Sequence, residues 1–426
     1  MRLGTLPALL RDSGFVLLGR YGQYIVALVS IPVVARVLGI EGFGQYAIAN
    51  AGAFFGSLLV DLGLTTVLAS DLARGNLRAP SLTTFILLRF AVLAALCAAL
   101  AGVLLADAAV PSLVIAGMVM GGTSSIGQEW ILIGSSRYVV LATSQVCVRV
   151  ASLAGLIILL PKHPSVWVAI AILTAANLAG AAITWTVTRR AVAIARPQKS
   201  EAAHLLRVAL PIVSSRALGI ASSQGPVLGF SLLVPAKTFG FFAATDKLVR
   251  AAQSSMDALS IALLPRLGKA AGQSREAFGS RVRRSLTLTF GLGAIGATVL
   301  TLLAPWIVPI VLGRQFAAAI PALQIQAWSL PAAGLTSVCM GAVLISARDY
   351  RGMLLVGAIG LAALPIGLAV GAASGSPMAL STGALIIDWA SAGAAVTQTW
   401  LRHGLRGDRR APGPLLSSIP FLRRRS

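Results

Sequence analysis

The sequence predicts an all-α polytopic membrane protein of about twelve transmembrane helices, arranged as two six-helix lobes related by a parallel pseudo-twofold repeat. Three observations predict it. Of 426 residues 57% are hydrophobic and only 11% charged, with a mean hydropathy of +0.85, whereas soluble domains run at about 25% charged. Apolar windows of the roughly 20 residues that a spanning helix needs follow one another with short connections. The basic residues sort to alternate connections.

In chain order the apolar windows cover 14–37, 46–70, 82–106, 112–135, 138–160 and 166–188, then 208–233, 239–264, 285–311, 321–346, 353–373 and 377–401. The first is a retained span, because no small-residue cleavage pattern follows it. With the N-terminus inside, the inner segments hold 25 Lys and Arg and the outer loops only Lys162, Lys237 and Arg314. Such an asymmetry puts both termini on the cytoplasmic side. The expected organisation is an N-terminal lobe over 1–188, a basic cytoplasmic linker over 189–207, a C-terminal lobe over 208–401 and a basic tail over 402–426.

A shift of 196 residues aligns Leu9-Leu10-Arg11 with Leu205-Leu206-Arg207, Arg20 with Arg216, Phe43-Gly44 with Phe239-Gly240, Asn50 with Asp246 and Asp61 with Asp257. Charged residues are scarce here, so their recurrence in one ungapped register reads as duplication. Six spans per unit is an even number, so both units enter the membrane in the same sense. A parallel repeat of this kind has its axis along the membrane normal and its substrate path between the halves.

The net charge of +22 lies between hydrophobic runs and not on a folded basic surface, so no nucleic-acid partner is expected. Cys97, Cys147 and Cys339 lie inside apolar segments without CxxC spacing, and His163, His204 and His403 fall in loops, so neither a metal nor another cofactor is readable. No GxxxxGK[ST], HExxH or GxSxG sequence is present, and the extramembrane segments are too short for a catalytic domain. The chain reads as no enzyme.

The informative residues are the ionisable ones within the spans, each costly enough that it must face protein or water. Seven are cationic: Arg20, Arg36, Arg89, Arg149, Arg216, Lys247 and Arg250. Five are anionic: Asp61, Glu129, Asp246, Asp257 and Asp388. Arg20 and Arg89 are near enough to the cytoplasmic boundary to snorkel, Arg36 reads as an interface anchor, and Glu129 and Asp388 read as structural hydrogen-bonding groups. Asp246, Arg250 and Asp257 share one face of the eighth span, which must turn to an aqueous cavity or to a facing helix. An excess of guanidinium groups points to an anionic cargo, since planar forks pair bidentately with phosphate. Arg20, Arg149, Arg216, Arg250, Lys247 and Arg89 are therefore the candidate substrate-binding residues, and Asp61, Asp246 and Asp257 the candidate proton or sodium sites.

Several motifs resemble the polysaccharide transporter branch of the multidrug/oligosaccharidyl-lipid/polysaccharide (MOP) exporter superfamily, the Wzx-type oligosaccharide flippases. They are Tyr21-Gly22-Gln23-Tyr24, Pro32-Val33-Val34-Ala35-Arg36-Val37-Leu38-Gly39, Glu41-Gly42-Phe43-Gly44-Gln45-Tyr46 and Asp61-Leu62-Gly63-Leu64. Trp130-Ile131-Leu132-Ile133-Gly134 resembles the end of the family's fourth span, and Leu312-Gly313-Arg314-Gln315-Phe316 the outer loop of its second half. Gly39, Gly42 and Gly44 would permit positive φ in a tight connection, and Pro32 would loosen the first helix.

The resemblance implies a V-shaped, two-lobed flippase of the bacterial plasma membrane. Its cargo would be a polyprenyl-pyrophosphate-linked oligosaccharide, moved outward by alternating access for cell-surface polysaccharide biosynthesis. By position, Arg20 and Arg250 carry over as cationic cavity residues; Arg149 and Arg216 rest on depth and repeat symmetry. Membrane lipids, a polysaccharide polymerase and glycosyltransferases are the partners it implies. The tail ending in Arg423-Arg424-Arg425 suits anionic headgroups. Two other readings stand beside it: a drug/cation antiporter of the same superfamily, against which the 6% aromatic content speaks, and a membrane glycosyltransferase or polymerase, which short outer loops disfavour.

Overall fold

A computed structural model describes residues 6–75, 79–189, 195–196, 198–271, 275–347 and 349–403, with side chains described from Val29 onward apart from a few bordering the gaps. Among the described residues every regular element is helical. The first half comprises α1 (Leu6–Asp61), α2 (Thr65–Ala73), α3 (Ala79–Leu105), α4 (Ala109–Ser125), α5 (Glu129–Gly134), α6 (Tyr138–Leu159) and α7 (Val166–Thr188). The second comprises α8 (Lys199–Leu233), α9 (Ala236–Ala271), α10 (Arg275–Ile307), α11 (Ile320–Ala327), α12 (Ser329–Val338), α13 (Leu344–Ser346), α14 (Tyr350–Ala372) and α15 (Pro377–His403). Ten helical segments among the described residues are long and apolar enough to cross a membrane. Of the twelve expected spans, the first falls largely on residues 14–28, whose side chains are not described. The eighth, α9, is interrupted by Asp246, Lys247, Arg250 and Asp257. The tail call of 402–426 lies almost wholly outside the described residues.

α1 is two helices meeting at a kink at Gly39, whose φ of 70° is not helical, so the first two expected spans remain distinct. An L side chain resists that conformation, so a glycine is required there. Gly42 and Gly44, expected to share this role, are helical. Gly44 has another use: a Cβ on it would come within 3.2 Å of the Gly240 Cα, and one on Gly240 within 2.1 Å of the Ile40 carbonyl oxygen. Positions 44 and 240 are equivalent in the repeat, and equivalent residues meet each other only at a twofold axis.

The largest core cluster lies around this contact and draws on both halves. Phe43 and Phe316 are fully buried with ring centroids 6.2 Å apart at 80°, and Phe241 meets the same Phe316 ring edge-on at 6.2 Å. Gln315 Nε2 donates to the Ala35 carbonyl at 3.1 Å, and the Arg36 guanidinium donates to the Ile310 carbonyl. The end of the molecule opposite the basic connections is thereby sealed.

Within the first half, the returning part of α1 packs on α4 through glycines on both helices. A Cβ on Gly56 would lie 1.9 Å from the Met118 carbonyl oxygen, and one on Gly121 1.9 Å from that of Ala53. This is backbone-to-backbone packing of the small-xxx-small kind, which substitutes for hydrophobic driving force in lipid.

Candidate functional site

Two expected spans of the first half are broken inside the bundle. The second span stops at Asp61, turns through Leu62 (φ 53°) and Gly63 (φ 65°), and resumes as α2. The fourth stops at Ser125 and resumes as α5 from Glu129. Interrupting a helix frees backbone carbonyls that lipid cannot satisfy. Here Arg89 Nη1 donates to the Gly127 carbonyl at 3.2 Å, Trp185 Nε1 to the Ile126 carbonyl at 3.0 Å, and the Gln128 amide to Thr184 Oγ1 at 3.0 Å.

Both breaks face a polar cavity of about 310 Å³ lined by Asp61, Thr65, Arg89, Glu129, Arg149 and Arg216, with Ser57, Ser124 and Asn177. A second cavity of about 290 Å³ continues toward the sealed end past Tyr46, Asn50, Ser30 and Ser152. Ser57, Ser124, Arg149 and Asn177 line both. Discontinuous helices turned toward a polar space between packed helices are where transporters bind cargo.

The cations of this space differ in their partners. Arg89 is buried at 3% exposure, its Nη2 lies 3.8 Å from Asp61 Oδ1, and its guanidinium stands 4.7 Å over the Phe85 ring. It does not snorkel. Arg216 Nη1 lies 3.7 Å from Asp61 Oδ2. Arg149 has no ion pair within 4.0 Å among the described residues; Glu129, near enough to act on it electrostatically, accepts instead from Gln145 Nε2 at 3.0 Å. Asn50 lines the second cavity beside Tyr46.

In the second half the polar stripe of α9 faces α12. Arg250 Nε donates to Asp246 Oδ2 at 2.8 Å, Gln253 to Ser329 at 2.8 Å, and the Ser337 hydroxyl to Asp257 at 2.7 Å. Asp388 on α15 acts electrostatically on Arg250, and Lys247 lies in the field of Asp246 and Arg250. The structure thus brings Arg89, Arg149, Arg216 and Asp61 together, and places Lys247, Arg250, Asp246 and Asp257 in a separate group. The side chain of Arg20 lies outside the described residues. Sequence reasoning missed Asn50 and Asn177 as cavity residues; the alignment of Asn50 with Asp246 was the available signal.

A model of the family described as "Polysaccharide biosynthesis protein" matches residues 9–271. No curated protein matches the chain. Among solved structures, the fold is similar to that of the lipid II flippase MurJ in its inward closed conformation, with a TM-score of 0.72 and 12% identity over 90% of this chain and 86% of that one. It is also similar to a mutant of the Vibrio cholerae MATE transporter VcmN, with a TM-score of 0.60 and 16% identity over 92% and 95%. An inward-facing multidrug resistance MATE family transporter of the MOP superfamily gives a TM-score of 0.62 and 13% identity over 88% and 96%. At these identities the likeness is one of fold, and the fold is that of the MOP transporters.

Proposed function

This chain belongs to the polysaccharide biosynthesis protein family, and from that premise we propose that it is a flippase for a polyprenyl-pyrophosphate-linked oligosaccharide in the bacterial plasma membrane. The observation that carries the reading is Arg149, a guanidinium without an ion-pair partner among the described residues, at the junction of two polar cavities inside a membrane bundle. Arg149 is exposed to this space rather than packed in the core, and a cation at membrane depth favours an anion as its partner. Phosphate or a sugar acid supplies the planar oxygen pair that a guanidinium matches. The hydroxyl and amide groups around it, Ser57, Ser124, Asn50 and Asn177, suit saccharide hydroxyls. The prenyl chain stays in lipid.

Sealing of the end opposite the basic connections supports an inward-oriented state in which cargo reaches Arg149 from the cytoplasmic side. Outward opening would then part the Phe43, Phe241 and Phe316 cluster. A polymerase and glycosyltransferases would act before and after this step. A cationic drug is a poor match to a cavity lined among the described residues by three arginines and two carboxylates.

The test is complementation of a strain lacking its own oligosaccharide flippase. At equal expression, Arg149→Ala should lower surface polysaccharide by about 10- to 100-fold, the cost of one lost charge-assisted hydrogen-bond set, and Arg149→Lys should retain part of it. Full activity of Arg149→Ala would remove the anion-binding role.

A further inference from the structure

Asp61 has two cationic partners of unlike character. Arg89 comes from the same half, is 4% exposed in its side chain, and is fixed by the Gly127 carbonyl and the Phe85 ring. Arg216 comes from the other half and is 44% exposed, with no further ion pair among the described residues. The Asp61 carboxylate, which also accepts from the Thr65 hydroxyl, is 14% exposed in its side chain. It therefore has one permanent partner and one exchangeable partner, and the exchangeable one crosses between the halves.

The helix that carries Arg216 is itself divided. Leu205 and Ala209 of α8 are buried with Leu64, Leu82, Phe85 and Trp130 of the first half, and the Ser81 hydroxyl donates to Glu201 at 2.7 Å. Farther along α8, a Cβ on Gly225 or Gly229 would press on Leu364 or Leu368 of α14 in the second half, at 2.7 and 2.6 Å. Pro211 lies within the helix, and Ile212 and Val213 just beyond it still pack on the first half, Ile212 against Gly63; Arg216 lies between this attachment and the one to α14. Arg216 is the first charged residue beyond Pro211. The Asp61–Arg216 pair therefore ties the stretch of α8 between its two attachments to the first half.

We propose that Arg216 is a ligand-released latch: the Asp61–Arg216 pair holds this stretch of α8 against the first half in the empty protein, and a phosphate-type anion entering the cavity takes Arg216 from Asp61. The carboxylate then stays with Arg89, and the second half is free to move. An ion pair of this exposure is weak, as a contact broken in every cycle has to be, and a phosphate group offers the guanidinium two oxygens in place of one. A ligand shifts a conformational equilibrium only by its unequal affinity for the two states; here the inequality arises because the latched state has Arg216 already occupied. The latch rests on the anionic-cargo reading above and adds to it how binding is coupled to motion.

The experiment uses the full chain in nanodiscs with Cys97, Cys147 and Cys339 replaced by alanine. Nitroxide labels are placed in separate preparations at positions 74 and 283 on the basic face and at 107 and 237 on the opposite face. Pulsed EPR distances are recorded with and without inorganic pyrophosphate, whose binding is measured independently by calorimetry. In the ligand-free protein, Arg216→Gln should raise the ratio of unlatched to latched populations about two- to five-fold, the range for an exposed pair. Asp61→Asn added to it should change the ratio by less than Asp61→Asn does alone. Pyrophosphate should produce the same shift in the parent and none in Arg216→Gln. Additive effects, or a ligand-free Arg216→Gln distribution identical to the parent while pyrophosphate still binds, would overturn the latch alone. Absence of pyrophosphate binding with the two substitutions still coupled would overturn the anionic-cargo reading and the ligand's part in release.

Discussion

Arg89 shows how much a single residue's depth leaves open. Its distance from the cytoplasmic boundary allows a snorkelling side chain as readily as an inward one, and nothing in the local sequence chooses between them. The structure turns it inward, where one guanidinium serves the Gly127 carbonyl and Asp61 and covers the Phe85 ring. Those three partners come from three separate segments, and only their assembly gives Arg89 its role. Arg89→Ala should destabilise the protein by about 3–5 kcal/mol, the cost of removing one member of a buried pair, read as a lower midpoint of thermal unfolding in detergent. Arg89→Lys should recover little, because a single ammonium lacks the planar fork that reaches both oxygens at once. By contrast Arg149 was singled out from its depth alone, and the structure sets it at the cavity junction.

At the scale of helices, the apolar spans of the sequence correspond to helices almost throughout, whereas the interruptions inside them do not show in it. Leu62-Gly63 and Ile126-Gly127-Gln128 are too short to lower the hydrophobicity of a 20-residue window. The second of them persists because Arg89, Trp185 and Thr184 accept the duties of the missing helical hydrogen bonds. The tenth expected span is likewise split into α11, α12 and α13, with a π-helical segment at Cys339–Val343. The α1–α4 contact gives a direct check on packing. Gly56→Val would drive its side chain into the Met118 backbone and should cost about 1–3 kcal/mol or more, the usual range for overpacking. Gly102→Val, at a glycine with open space around it, should change thermal stability little; equal losses from both would disprove the close approach.

For the molecule as a whole, the 196-residue register was legible because charged residues are rare enough for their recurrence to carry information. The pairing of Asp61 with Arg216 across the halves was not, since equivalence in sequence says which positions correspond and not which ones touch. The seal around Phe43, Phe241 and Phe316 joins elements from both halves, so transport by alternating access requires it to open. A cross-linker between cysteines introduced at Ala35 and Gln315, whose backbone carbonyl and side chain are bonded at 3.1 Å, should abolish complementation, and a reductant that cleaves the linker should restore it. Retained activity in the linked protein would mean that cargo moves without parting this end.

Gly44 against Gly240 also bears on ancestry. Two identical half-length chains meeting about a dyad would each present the same glycine there, so such a contact needs no matching of unlike surfaces. Once joined, each copy became free to vary by itself, yet at this spot a larger side chain in either one would push the same two backbones apart, which binds the pair to a common fate.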